Sequence, residues 1–237
     1  MGSLISRSKS IRFDPSGGRL ERAHLEEACR ALPLFPLPGT VLLPGSLLPL
    51  HVFEPRYRDL VNDCLRDQLP LSVCQVRPED APGSVGAPRL LPYAGVGIIG
   101  AHQELADGRF NVLVQPVGRI RIVSEGPSGR AYRLAQVELL DDLEVDPAEL
   151  LAEGERVRRL FTPLVGRMGQ VGESVARALR SLSPERVPEA VASVVLRSDD
   201  ARQCFLAENS PLVRAAMVEE AVLMLLAEGS GQVAAEA

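Results

Sequence analysis

Residues 32–53 read LPLFPLPGTVLLPGSLLPLHVF, and this stretch decides how the chain folds. It is too apolar for a solvated loop and too rich in proline for a helix, because proline lacks an amide hydrogen and clashes with the preceding turn. We therefore predict extended structure. Proline cannot donate to a strand ladder, so the prolines belong at strand ends, bulges or edges, with a turn at Pro44–Gly45.

The periodicity changes directly after this stretch. Glu54 and Pro55 are typical of a helix start, because an acidic side chain is favourable at the positive end of the helix dipole and proline is tolerated at the first helical position. The next residues repeat at helical spacing. One face is predicted to pack inward (Tyr57, Leu60, Val61, Cys64, Leu65) and the other to face water (Arg56, Asp59, Asp63, Arg66).

Further strand patterns follow. Residues 71–76 form a short apolar run, and the Pro- and Gly-containing residues 77–92 are predicted to form a long irregular loop. Alternating segments at 95–105 and 109–123 flank Asp107–Gly108, which favours a type I′ hairpin turn. Residues 132–140 supply another strand.

The pattern becomes helical after Asp146–Pro147, a cap followed by a proline. One apolar stripe (Leu150, Val157, Leu160, Phe161, Leu164, Val165, Met168) predicts the first of these helices. Others are predicted at 172–181, 184–196, 199–206 and 211–227. The chain is thus divided into an N-terminal extension (1–30, with a short helix within 20–30), a β domain (31–142), a helical bundle (143–228) and a flexible tail (229–237).

Composition narrows the function. A net charge of -5, 4% aromatic residues and no tryptophan argue against nucleic-acid binding. No proline-free apolar stretch long enough for a membrane span is present, and no secretory signal is recognisable, so we predict a cytoplasmic location without membrane association. The cysteines are scattered without a C-x-x-C pair, which favours buried thiols over zinc or disulfides, and no cofactor is expected.

Catalysis or phosphate binding by a lysine side chain is nearly excluded as well. Only Lys9 is a lysine among 26 basic residues, and no Gly-Lys-Ser/Thr string follows a glycine-rich turn as a P-loop requires. Ser6 and Lys9 match S-x-x-K by spacing alone, and no serine lies in a G-x-S-x-G elbow. We therefore expect a non-catalytic protein.

Several of these segments resemble the amino-terminal, substrate-binding domain of Lon proteases, in the variant found in stand-alone Lon-domain proteins. The matching strings are Leu32–Leu37, Leu43-Pro44-Gly45, His51 through Arg58, Gly95-Val96-Gly97, Asp107-Gly108-Arg109 and Gly118 through Ile122. The resemblance covers residues 31–142 well and 143–227 more loosely. It implies an α+β fold, with a PUA-like β pseudo-barrel, one packed helix and a C-terminal helical bundle. It also implies recognition of unfolded or partner polypeptides.

A complete Lon protease continues into an ATPase and a Ser-Lys peptidase, for which we expect no counterpart in these residues. The resemblance therefore suggests a recognition module that works as an adaptor for a separate protease or chaperone.

The apolar residues 41–53 are the candidate binding site. Near a sheet edge, they can accept an extended peptide by strand addition, with leucine side chains forming pockets. The candidate peptide-binding residues are Leu42, Leu47, Leu48, Leu50, Phe53, Glu54, Arg56 and Tyr57. In the alternative, Leu42, Leu47, Leu50 and Phe53 fill the core, and Glu54, Arg56 and Tyr57 are a capping acid, a surface cation and a core aromatic.

Three other functions stay open. A cluster of Arg119, Arg121, Arg130 and Arg133 would favour RNA binding by a PUA-like fold. A pocket with convergent polar groups would favour a small ligand. An enzyme of another kind would have to use His24, His51 or His102, of which His51 is more typical of a strand residue than of a base.

Overall fold

The computed structural model describes residues 12–13, 22–80 and 88–235. Within them the chain forms two units: the first contains the residues up to Leu42 together with Leu47–Leu140, and the second contains Leu43–Ser46 and the residues from Asp141 onward. Lys9 with its S-x-x-K spacing, and residues 81–87 of the predicted loop, lie outside the described residues.

The first unit is built on a closed sheet. Its described strands are β1 (Arg12–Phe13), β2 (Leu32–Leu37), β3 (Leu48–Val52), β4 (Leu71–Gln75), β5 (Tyr93–Glu104), β6 (Phe110–Gly126) and β7 (Arg133–Leu140). They are ordered β1-β5-β4-β2-β7-β6-β3, and β5 also pairs with β6. Strands β5, β4, β2, β7 and β6 therefore close into a ring, which confirms the predicted pseudo-barrel.

Strand β2 is buried on both faces, which explains why its sequence is apolar without alternation. Leu34 packs in one hydrophobic cluster, and its neighbour Phe35, on the opposite face, packs in another. The strand runs parallel to β4 and antiparallel to β7. The prolines of β2 are accommodated at this central position, where they were not expected.

Two helices pack on the sheet. Helix α2 (Pro55–Asp67) begins with Pro55 in its first turn, as predicted, and buries Tyr57, Leu60, Val61 and Cys64. Helix α1 (Arg22–Ala28) contributes Leu25 to the cluster that contains Leu34, and β1 pairs with β5. The described parts of the predicted N-terminal extension therefore belong to the β unit.

Asp63 was predicted to face water, and this prediction is wrong. The residue is 8% exposed. Its Oδ2 accepts hydrogen bonds from the Tyr132 hydroxyl at 2.7 Å and from Arg130 Nη1 at 2.9 Å, and its Oδ1 lies 2.8 Å from Arg66 Nη2. Burial and the Asp63 hydrogen bond raise the pKa of Tyr132. The carboxylate thus joins α2 to the β6–β7 connection.

The hairpin at Asp107–Gly108 is confirmed, but its predicted turn type is wrong. A type I′ turn needs positive φ at both central residues, whereas Gly108 has φ +77° and Asp107 is not among the described residues with positive φ. The amide of Gly108 donates to the Leu105 carbonyl, and the Leu105 amide donates to the Arg109 carbonyl. The loop therefore contains three residues, 106–108, instead of the two of a type I′ hairpin, and Gly108 occupies the left-handed position.

The second unit is helical, as predicted. Its helices are α3 (Pro147–Gly166), α4 (Gly169–Ser181), α5 (Val187–Val195), α6 (Asp199–Ala207) and α7 (Pro211–Ala235). Asp146 caps α3 by accepting a hydrogen bond from the Ala148 amide at 2.9 Å. Helix α7 continues past the predicted end to Ala235, so most of the predicted tail is helical backbone.

A four-residue segment from the first half of the sequence belongs to this helical unit. Pro44–Gly45 forms the predicted turn, with the Ser46 amide donating to the Leu43 carbonyl. Gly45 has φ +73°, and a Cβ atom at this position would lie 2.8 Å from the backbone nitrogen of Ala190. Only glycine fits a left-handed turn packed so closely on α5.

A buried arginine links α7 to α5 and to the segment that precedes α3. Arg214 on α7 is 2% exposed. Its Nη1 and Nη2 atoms lie 2.7 and 2.8 Å from the two carboxylate oxygens of Asp142, and Nη2 lies 3.2 Å from Glu189. Burial alone would lower the pKa of Arg214, but the two carboxylates raise it above its usual value.

We predict that Arg214→Met lowers the free energy of unfolding by about 2–3 kcal/mol, because Asp142 loses a bidentate partner and Glu189 loses a single contact, while both carboxylates remain partly hydrated. Chemical denaturation followed by circular dichroism measures this change. Arg180→Met, which removes an exposed arginine of α4, is the matched control. Equal effects of the two substitutions would contradict a special role for Arg214.

The cysteines provide a second test. Cys29, Cys64 and Cys74 are buried, as predicted, whereas Cys204 is exposed, which the sequence did not indicate. Burial raises the pKa of both Cys64 and Cys74 to about 12, so these thiols form little thiolate near neutral pH. At pH 8 we expect Ellman's reagent to modify Cys204 alone in the folded protein and all four cysteines after denaturation. Rapid modification of two or more thiols before unfolding would contradict this burial pattern.

Candidate functional site

Strand β3 lies at the end of the strand order and pairs with β6 on one side. Among the described residues no strand covers its other side. The predicted edge position of residues 41–53 is thus confirmed for β3. An uncovered strand edge presents backbone groups that another chain can pair with.

The side chains of β3 alternate between two environments, as the period of a strand requires. Leu48 and Leu50 are half-buried against the core, and Val52 is 2% exposed. The opposite side carries four exposed residues, which we call the outer row: Leu47, Pro49, His51 and Phe53. Leu47 is 58% exposed and Phe53 is 60% exposed, so two large apolar side chains face solvent.

Two of the candidate peptide-binding residues are inside the β unit. Leu42 is fully buried and belongs to the same cluster as Phe35 and Tyr57. Tyr57 is 5% exposed; its ring packs edge-on against Phe35 at 4.2 Å, and its hydroxyl donates to the Pro36 carbonyl at 3.3 Å. Leu42 and Tyr57 are therefore core residues, as the alternative to peptide binding predicted. Leu47 and Phe53 are exposed, so for them that alternative is wrong.

Directly after the outer row in the sequence, the start of α2 carries an ion pair between Glu54 and Arg56. Arg56 Nη2 lies 2.7 Å from Glu54 Oε2, and its guanidinium stacks 4.6 Å from the centroid of the Tyr57 ring. Glu54 stands at the N-cap position of α2 but makes no side-chain cap hydrogen bond, so its predicted role as a capping acid is wrong. Its carboxylate accepts hydrogen bonds from Arg56 instead. Arg56 is a surface cation, as the alternative interpretation predicted.

A polar network, which the sequence did not indicate, fixes the middle of the outer row. His51 Nδ1 lies 2.7 Å from Asn111 Oδ1, so Nδ1 carries the hydrogen, and Nε2 accepts from Arg109 Nη1 at 3.2 Å. Asn111 also donates to Gln103 at 3.2 Å. The register His51↔Asn111 between β3 and β6 brings these residues together. They are 60 positions apart, which is why sequence spacing could not reveal the pair.

The arginines that would favour nucleic-acid binding do not form a free cationic patch. Arg119 is 3% exposed. Arg121 pairs with Glu138, Arg133 pairs with Glu125, and Arg130 pairs with Asp63. Carboxylates therefore neutralise the three arginines that reach the surface.

Among the described side chains, no three His, Cys, Asp or Glu residues converge closely enough to hold a metal ion. None of the described helices combines the length and the apolar sequence that a membrane span requires.

The family model of the ATP-dependent protease La (LON) substrate-binding domain matches residues 31–223. The chain therefore belongs to the Lon substrate-binding domain family. The match includes the β unit from β2 onward and most of the helical unit, in agreement with the resemblance noted from the motifs.

Curated relatives are full Lon proteases. Lon protease 2 of Sorangium cellulosum is 26% identical over 217 residues, which cover 90% of this chain and 26% of that protein. Lon protease 2 of Syntrophobacter fumaroxidans is 29% identical over 200 residues, which cover 84% of this chain and 24% of that protein. The chain thus spans about a quarter of the length of these relatives.

Solved structures show the same fold. The N-terminal domain of the Mycobacterium avium complex Lon protease superposes with a TM-score of 0.63 at 15% identity, over 81% of this chain and 97% of that one. The Lon N-terminal domain protein from Xanthomonas campestris gives a TM-score of 0.54 at 26% identity, over 79% and 96%. The α+β architecture is therefore that of Lon N-terminal domains.

Tyr57 allows a test of which motif residues serve the fold. We predict that Tyr57→Phe lowers the free energy of unfolding by about 1 kcal/mol, because it removes the hydrogen bond to the Pro36 carbonyl. Tyr57→Ala should lower the free energy of unfolding by about 3–5 kcal/mol, since it also leaves a cavity in the hydrophobic cluster. Denaturant titration measures both values. A Tyr57→Ala protein with unchanged stability would show that the ring is not part of the core.

Proposed function

We propose that this chain is a non-catalytic polypeptide-recognition module that binds unfolded segments of other proteins through the outer row of β3. The membership of the Lon substrate-binding domain family is the observation that carries the proposal. The names of the relatives refer to whole proteases, about three quarters of whose length has no counterpart here. The part shared with this chain is the part associated with substrate binding.

The outer row supports this location on physical grounds. Leu47 and Phe53 are large and more than half exposed, and covering each of them would contribute about 1–2 kcal/mol. His51 stacks on Phe53 with ring centroids 6.2 Å apart, which gives Phe53 a defined neighbour. Unfolded polypeptides expose apolar side chains that native proteins bury, so such a row discriminates between the two.

Pro49 shapes how a chain can bind there. Proline has no amide hydrogen, so the edge of β3 offers fewer donors than an ordinary edge strand. A long ladder of backbone hydrogen bonds is therefore disfavoured, and contacts to the side chains of Leu47 and Phe53 become more important. Glu54 and Arg56 would form the border of this surface, whereas Leu48 and Leu50 lie on the opposite face of β3, half-buried against the core.

We further propose that the module delivers bound polypeptide to a separate protease or chaperone as an adaptor. A reducing, cytoplasmic location agrees with the free thiols of Cys29, Cys64 and Cys74.

Paired charge substitutions in the outer row test the proposed function. The double variant Leu47→Asp, Phe53→Asp should bind a fluorescently labelled, reduced and carboxymethylated model protein at least tenfold more weakly than the parent, because two apolar contacts worth about 1–2 kcal/mol each are lost. Fluorescence anisotropy measures the affinity.

Leu143→Asp is the matched control, because Leu143 is 58% exposed, as Leu47 is. It should leave binding unchanged, and circular dichroism should show that all variants are folded. Absence of binding by the folded parent would refute the proposed function. Equal weakening by Leu143→Asp would refute the location on β3.

A further inference from the structure

The helical unit contains a cleft of about 610 Å³ between α3, α5 and α7. This volume lies within the range of sites that hold small ligands or single anchoring groups, about 300–1,000 Å³. The cleft is lined by five apolar residues and three charged ones: Phe161, Leu164, Met168, Val194, Leu225, Arg167, Arg197 and Glu228.

The apolar residues that line the cleft fall into a buried group and a partly exposed group. Phe161 is 1% exposed and Leu164 is 9% exposed, so both are fixed in the helical core. Val194 is 41% exposed, and Met168 and Leu225 are half-buried. A lining of this extent suits one leucine, methionine or phenylalanine side chain better than a long acyl chain.

The charged part of the cleft favours an anion. Arg167 is exposed at the end of α3, and its guanidinium has no ion-pair partner among the described side chains. Arg197 lies 3.7 Å from Glu228, and the two side chains are 70% and 69% exposed. Such a long, solvated ion pair is weak, so Arg197 can turn toward a ligand at little cost.

We propose that this cleft binds the C-terminal residue of a polypeptide, with its apolar side chain on Val194 and Leu225 and its α-carboxylate paired with Arg167 and Arg197. The α-carboxylate and the side chain are attached to the same carbon atom, so one residue satisfies both halves of the cleft. Arginine binds a carboxylate with two parallel hydrogen bonds. The inference rests on the proposed function in that the ligand is a polypeptide, and it adds a second contact, specific for a chain end.

Matched peptides test this inference directly. We would compare N-terminally fluorescein-labelled Gly-Ser-Gly-Leu-Leu with a free C-terminal carboxylate and the same peptide as its C-terminal amide, by fluorescence anisotropy on the full chain. The free acid should bind at least about tenfold more tightly than the amide, as expected for one charge-assisted bidentate contact. A free-acid peptide ending in Ser-Ser should bind as weakly as the amide.

Arg167→Gln should lower the affinity for the free acid to that for the amide and leave the amide unaffected. Arg197→Gln should act in the same direction. Arg180→Gln, which removes an exposed arginine of α4 outside the cleft, should keep the full preference for the acid. Circular dichroism confirms that the variants are folded.

Equal binding of acid and amide by the parent would overturn the inference, as would a preference for the acid that survives Arg167→Gln together with Arg197→Gln. Decanoate that binds these arginines when the acid peptide does not would assign the cleft to a fatty carboxylate instead. The double variant of Leu47 and Phe53 separates the two proposals. It should lose binding of the unfolded protein yet keep the preference for the acid peptide, so a failure of either site is seen without the other.

Discussion

The burial of β2 on both faces is the constraint on which the β unit depends. Leu34 and Phe35 belong to separate hydrophobic clusters, so this strand must lie between neighbouring strands and beneath packed side chains on both sides. The parallel pairing with β4 and the antiparallel pairing with β7 meet this requirement. Residues 38–47, which include Pro38 and Pro44, connect β2 to β3. Strand β3 pairs with β6 at the end of the strand order, where no described strand covers its other edge, and its outer row is exposed.

Local chemistry accounts for the features that could be predicted from the sequence. Proline at the start of α2, the Asp146 cap and the glycine of the β5–β6 turn each act within a few residues, so their patterns predict the local structure. The dense apolar sequence of β2 predicts burial in the same way. Pro49 also favoured an edge position for β3, but Pro33 and Pro36 of the central strand β2 show that proline alone does not decide the position of a strand.

The remaining features depend on partners far away in the sequence. Asp63 fits the solvent face of an isolated helix by its spacing, yet Tyr132, 69 positions later, provides a buried donor for it. The pairing of His51 with Asn111 depends on the register of β3 and β6. The exposure of Leu47 and Phe53 depends on which side of β3 the core occupies, and a run of leucines does not define that side. The cleft requires three helices to converge, and no single helix carries its signature.

The turn at Pro44–Gly45 has a consequence for how the molecule is assembled. Gly45 packs on Ala190, so residues 145 positions apart in the chain complete the helical unit together. Such a contact raises the contact order of the unit, and it can form only after a long loop has closed. It also means that the helical unit is not one continuous piece of sequence. A ribosome makes the turn early and the helix that receives it much later, and a fragment starting at residue 141 would lack its own first segment.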